Sequence, residues 1–184
     1  MRFDQQKGFT LIELVIVILI AAILAAAVNA LLGDTTSTKV YGTARKIQSD
    51  ITYAQEQAMT HRAHYRVQFT PATNSYTIQQ CTTWGVSSCT TWGPVLDPST
   101  NTSPFTVTLN SGSYSGVLLS STTFTCNYVE FNSAGVPYEG GAGLCPSPPV
   151  LFSTTGATIR TAALNVSTRY VTVLAGTGKT AVYP

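Results

Sequence analysis

Charge is the first shortage. Asp, Glu, Lys and Arg make up 10% of the 184 residues, against about a quarter in ordinary soluble domains. Most of the surface must therefore be neutral and polar, carried by the plentiful Thr and Ser. The formal charge of +2 is too small to argue for nucleic acid by itself. Histidine is nearly missing: His61 and His64 are the two in the chain, so any hydrolytic triad would have to take one of them as its base. They stand three apart at the expected end of a helix, where cationic side chains suit the helix dipole. A metal site would need a carboxylate or cysteine, and none lies near them in sequence. There is no internal repeat, and the length has room for one domain plus one long appended element, which excludes a two-domain enzyme.

A nucleotide site is also missing a part. Gly176-Thr177-Gly178-Lys179-Thr180 ends like a phosphate-binding loop, but the pattern requires Gly where the chain has Val173, and a following helix where only Ala181 to Pro184 remain. A tight Gly-rich turn between two strands accounts for the same residues.

Cysteines are four: Cys81, Cys89, Cys126 and Cys145. The intervals of seven, thirty-six and eighteen residues lack the paired short spacings of a zinc site. Disulfides fit better and place the cysteine-bearing part outside a reducing cytosol. Of three connectivities the sequential one, Cys81 with Cys89 and Cys126 with Cys145, is favoured because each bond would staple a loop rich in Ser, Thr, Gly or Pro. Each closure is worth roughly 3 kcal/mol in the chain-entropy model.

What the chain has in excess is an apolar N-terminal run. From Leu11 to Leu32 Glu13 and Asn29 are the polar residues, and Leu14 to Val28 is unbroken. About 22 residues at 1.5 Å each reach about 33 Å, enough to cross a bilayer core as a helix. Arg2 and Lys7 precede it, so the short leader stays cytoplasmic and the remainder crosses. A plain anchor or a secretory signal peptide, cut near Ala25-Ala26-Ala27 or Ala30, would share these features. Neither explains Glu13, because an ionisable group near the start of an apolar span is costly and marks function.

The segment Lys7-Gly8-Phe9-Thr10-Leu11-Ile12-Glu13-Leu14 resembles the cleavage and methylation segment of type IV prepilins and type II secretion pseudopilins. The resemblance covers about 25 residues and implies that a prepilin peptidase cuts between Gly8 and Phe9 and that the new Phe9 amine is methylated. It further implies that Glu13 aligns subunits by pairing with the Phe9 amine of a neighbour, since an unpaired buried charge costs several kcal/mol. Many pilins carry a helix-breaking Pro where this chain has Ala30, so any local melting must rely on Asn29 and Gly33.

Beyond Gly33, Val40, Ala44, Ile47, Ile51, Ala54 and Ala58 recur at spacings of four, three, four, three and four, the apolar stripe of an amphipathic helix. Joined to the first run it makes a helix of about 50 residues, roughly 75 to 80 Å long, with Gly33 to Thr36 as a candidate bend. Then the period changes to two: Tyr65, Val67 and Phe69, a turn at Thr70 to Ser75, and Tyr76 and Ile78 read as a β-hairpin. Further strands are expected around Phe105 to Leu109, Val117 to Leu119, Thr122 to Phe131, Val150 to Phe152 and Arg169 to Leu174, with Thr82 to Ser103 as a long surface loop.

Tyr53 to Ala58 leading into Tyr65 to Phe69, Glu130 to Pro137, and the Gly-containing terminal hairpin are similar to minor pilins and pseudopilins of the GspH/FimT type. The resemblance implies an α+β type IV pilin fold: a long N-terminal helix packed on an antiparallel sheet head with two disulfides. Its parts are a leader at 1–8, a membrane and filament-core helix at 9–33, an amphipathic helix at 34–62 and a β-rich head at 63–184. It implies a structural subunit, no enzyme and no cofactor, whose partners are other pilin subunits, the prepilin peptidase and, before assembly, the inner membrane. The filament is periplasmic or extracellular. A major pilin is one alternative and a DNA-uptake subunit another. Arg160, Arg169 and Lys179 follow the last acid, Glu139, and are the candidate DNA contacts.

Overall fold

The computed structural model describes residues 9–32, 35–86, 88–140, 149–151, 157–163 and 166–184. The chain divides into two compact units, Met1–Thr35 and Thr36–Pro184. The first contains α1 (Leu11–Leu32) and the second opens on α2 (Thr35–His61). The expected junction and bend fall on Gly33 and Asp34, outside the described residues.

In the second unit, α2 ends in a left-handed Arg62 (φ 50), with the Ala63 N–H donating back to the Ala58 carbonyl at 3.2 Å, the pattern that closes helices whose chain must turn sharply. Two antiparallel sheets follow. The larger is seven-stranded, ordered β3 (Cys89–Pro94), β2 (Ser75–Trp84), β1 (Tyr65–Thr70), β6 (Tyr128–Phe131), β7 (Pro137–Gly140) and β8 (Pro149–Leu151), with β4 (Thr106–Thr108) also on β2. The smaller runs β11 (Thr180–Tyr183), β10 (Val166–Val173), β9 (Ala157–Ala163) and β5 (Leu118–Thr122). The expectation of one sheet is thus corrected to two.

Core assembly follows the two periods. Every residue of the α2 stripe, Val40, Ala44, Ile47, Ile51, Ala54 and Ala58, is fully buried. Most of it shares a cluster with Tyr65, Val67 and Phe69 of β1, Tyr76 and Ile78 of β2, and Val171 and Val173 of β10. One helix face therefore closes against both sheets. Phe69 stacks on Phe124 with centroids 6.0 Å apart and planes 6° from parallel.

A polar group sits within this core. The Asp50 carboxylate, 4% exposed, accepts the Tyr76 hydroxyl at 2.6 Å and Lys46 Nζ at 2.7 Å. Burial outweighs both partners and raises the Asp50 carboxyl above its ordinary value.

The expected loop from Thr82 to Ser103 is corrected at its first half. β2 runs on to Trp84 and pairs with β3, Cys81 facing Trp92 and Trp84 facing Cys89, so the uncharged Thr-rich run is a hairpin. The expected strand from Thr122 to Phe131 is interrupted by a 3-10 turn at Thr125–Asn127, where Cys126 (φ 60) and Asn127 (φ 54) are left-handed and cannot continue a ladder. β7 and β9 were not anticipated.

Ile51→Ala is expected to destabilise the fold by about 2–5 kcal/mol, the range for emptying a fully buried aliphatic site, read from urea denaturation in mild detergent. A loss below about 1 kcal/mol would contradict the packing. For Asp50 the sign is set by its raised value: the ionised form costs stability above that value, and the cost fades as pH falls toward the ordinary 3.8. The stability of wild type minus Asp50→Asn is therefore expected to increase from pH 7 to pH 4; a flat difference would count against it.

Candidate assembly site

At the start of α1, Thr10 acts as the cap. Its carbonyl accepts the Glu13 N–H at 3.1 Å and the Leu14 N–H at 3.2 Å, and its Oγ1 accepts the Glu13 N–H at 3.3 Å. Thr10-Leu11-Ile12-Glu13 has the spacing of a capping box, and Glu13 lies in the first turn, where a carboxylate favours the positive end of the helix dipole. Glu13 thus has a local role that the sequence reading did not consider. Phe9 is 77% exposed, and Leu11, Ile12, Leu14, Ile16, Ile18 and Ile20 are all exposed. Gly8, the other half of the expected cleavage site, lies outside the described residues. Among the described residues, no helix is long and apolar enough to cross a membrane; α1 itself has 22 residues, but its described side chains stop at Ala26.

On α2, the polar face beside the core stripe binds two distant loops. Gln55 Nε2 donates to the Gly135 carbonyl at 2.8 Å and to the Thr177 carbonyl at 2.8 Å. Two turns earlier, Gln48 Nε2 donates to the Thr180 carbonyl at 2.9 Å. The approach is close enough to require glycine: a Cβ on Gly178 (φ 68) would stand 2.6 Å from Gln55 Nε2 and 2.9 Å from the Phe131 ring. Gly176-Thr177-Gly178 is accordingly the expected tight turn, here between β10 and β11.

The sheet face away from α2 holds the remaining chemistry. Cys81 and Cys89 form a disulfide across the β2–β3 hairpin, Cα atoms 5.8 Å apart. Cys126 is also disulfide-bonded, while Cys145 lies outside the described residues. One of the two expected disulfides is therefore complete among the described residues. The histidines do not share a helical face: His61 ends α2, and His64 lies beyond it, with Nδ1 2.7 Å from Glu130 Oε1. The carboxylate missing from the local sequence is supplied by β6. No group of three or more metal-ligating side chains occurs among the described residues.

The three candidate DNA contacts do not form one row. Arg160 pairs with Tyr170, and Arg169 pairs with Thr161, so the arginines occupy positions of opposite parity in the ladder. Lys179 is exposed at the β10–β11 turn.

Two family matches cover these features. Residues 4–29 match the prokaryotic N-terminal methylation motif. Residues 43–178, most of the chain, match type II transport protein GspH. The chain belongs to the GspH family. The solved minor pseudopilin EpsH from the type 2 secretion system of Vibrio cholerae shares its fold, with 12% identity, a TM-score of 0.53, and coverage of 79% of this chain and 96% of that one. A search of curated proteins by sequence finds no match.

Membership in the GspH family makes the chain a pilin-like structural subunit of the type II secretion or type IV pilus class, and it gives the loop clamp a meaning. The three stretches that carried the GspH/FimT resemblance, Tyr53 to Ala58, Glu130 to Pro137 and the terminal hairpin, converge on Gln55 through Gly135 and Thr177. Gln55→Leu would leave the part-buried Gly135 carbonyl without its partner and the exposed Thr177 carbonyl to solvent, and is expected to lose about 1–2 kcal/mol, with faster amide exchange around Gly135 and Gly178. Unchanged exchange at both loops would refute the clamp.

Proposed function

We propose that this GspH-family chain is a minor pseudopilin or minor pilin, stored in the inner membrane and assembled into a periplasmic or extracellular filament through α1. The observation that carries the proposal is the methylation motif at residues 4–29 lying on a capped helix whose described apolar side chains are exposed on all sides. A helix apolar all round needs lipid or other helices as its surroundings. In the precursor, α1 crosses the bilayer with the leader 1–8 in the cytoplasm. The prepilin peptidase cuts between Gly8 and Phe9, and Phe9 is methylated at its new amino group.

Glu13 then has two tasks. As the third residue of the first turn it supports the helix start. Within the bundle it pairs with the Phe9 amine of an adjacent subunit, so a subunit docked one position out of register leaves a charge buried and unpaired. Cys126 pairs with Cys145; Gly140 supports this placement, since a Cβ there would stand 2.8 Å from Cys126 Sγ. The DNA-uptake reading has less support, because the ladder parity of Arg160 and Arg169 does not align the charges along one backbone track. A major-subunit role has no separate observation in its favour.

Mass spectrometry of the chain purified from the filament is expected to show a first residue of Phe9 carrying one methyl group. Glu13→Ala is expected to remain inserted and processed but to drop out of filaments at least tenfold. A filament containing the intact leader, or normal incorporation of the Glu13 variant, would defeat the proposal.

A further inference from the structure

On the sheet face opposite α2, one cation is held rigid and left open. Arg66 of β1 alternates away from the core, between core residues Tyr65 and Val67. Its guanidinium carbon lies 4.2 Å from the Trp92 ring centroid and 5.8 Å from that of Tyr128, and its Nε donates to Gln79 Oε1 at 2.8 Å. Aromatic rings and one amide therefore fix the plane of the fork. Its terminal nitrogens have no ion pair: the salt bridges among the described residues are Lys46 with Asp50 and His64 with Glu130. Among the described residues no buried side-chain nitrogen or oxygen lacks a hydrogen-bond partner, so these nitrogens face solvent. Burial lowers the Arg66 pKa from its ordinary value, against the opposing pull of Tyr128 and Glu130 nearby.

The described acids of this unit are turned inward. Asp50 binds Tyr76 and Lys46, Asp97 accepts from Ser99, Glu130 faces His64, and Glu139 accepts the Thr125 N–H. Glu56 is the remaining described acid and is exposed, whereas Lys39, Arg45, Arg62 and Lys179 are all exposed. Of these cations Arg62 lies beside the depression, Lys39 and Arg45 sit on α2 and Lys179 on the β10–β11 turn, and Glu130, the cross-strand neighbour of Arg66, is engaged by His64. Next to Arg66, beyond the Cys81–Cys89 bond, a depression of about 250 Å³ is lined by Arg62, Ala63, His64, Cys81, Thr82 and Trp84. Trp84 is 50% exposed and packs tilted against His64, ring centroids 4.2 Å apart and planes at 44°.

We propose that this face docks an acidic segment of a partner protein, with a carboxylate received bidentately by Arg66 and a neighbouring apolar side chain seated in the depression beside Trp84. Planar forks match carboxylates in this way, and a stacked guanidinium loses little further freedom on binding. A nucleic-acid strand fits less well, because the Trp92 face on which a base would stack is occupied by the guanidinium. The inference extends the assembly reading by naming a partner surface on the head, but it does not depend on α1 or on filament formation.

The full chain in detergent micelles is titrated with acetyl-Leu-Glu-Leu-Glu-amide, its Gln counterpart and a twelve-nucleotide single-stranded DNA, following the indole N–H signals of Trp84 and Trp92. The Glu peptide is expected to shift both signals. Affinity is expected to fall at least tenfold with the Gln peptide or with Arg66→Gln, and several-fold with Arg66→Lys, which keeps the charge and loses the fork. Equal binding by wild type and both Arg66 variants would overturn the proposal, as would no binding of the Glu peptide or tighter binding of the DNA. The N-terminal mass of the same preparation reports on the assembly reading separately.

Discussion

The apolar surface of α1 is the constraint from which the rest follows. Side chains from Leu11 to Leu24 are exposed in both directions around the helix, and even partial burial of so many would be worth on the order of 10 kcal/mol or more. In the proposed assembly the cover comes first from lipid and then from equivalent helices. Because such a surface is non-directional, greasiness alone cannot set a register. In the proposed assembly Glu13 supplies the directional term; Thr10 fixes where the helix that carries it begins.

The head solves a different problem with different means. Its α2 has one apolar face and one polar face, and each is used. The stripe from Val40 to Ala58 is sealed against two sheets, while Gln48, Thr52 and Gln55 on the adjoining face bond the β10–β11 end and the Gly135 loop. Hydrophobic burial supplies most of the stability and cannot distinguish similar packings well; hydrogen bonds to specific carbonyls, backed by glycines that admit no side chain, choose among them. Two compact units with separate logic are what a subunit needs if one part is to be exchanged between lipid and filament while the other keeps its shape.

Legibility in the sequence tracked the range of the interaction. The Glu-bearing apolar run of α1, the period-3.6 stripe of α2 and the period-2 hairpin from Tyr65 to Ile78 are local patterns, and each was readable. The sequential pairing of Cys81 with Cys89 was also readable, because it staples a short Ser- and Thr-rich stretch. β9, with its small residues Ala157, Thr158, Thr161, Ala162 and Ala163, has too little apolar contrast to show a period, and β7 is framed by Pro137 and Gly140, which read as turn. Glu130 beneath His64, Arg66 against Trp92 and Gln55 on Gly135 and Thr177 join residues separated by 26 to 122 positions, and no single-sequence pattern encodes such meetings. The one available hint was compositional: a polar glutamine within an otherwise loose family stretch, and glycines at or beside both of its targets.

The central claim is that α1 is buried by helices of its own kind. It is tested most directly by placing a photo-crosslinking residue at Ile16 of the full chain in native envelopes and identifying the adducts under filament-forming conditions. Covalent adducts to the N-terminal helix of another pilin-type subunit are the expected result. Adducts to lipid alone, with filaments present and the chain within them, would contradict the account.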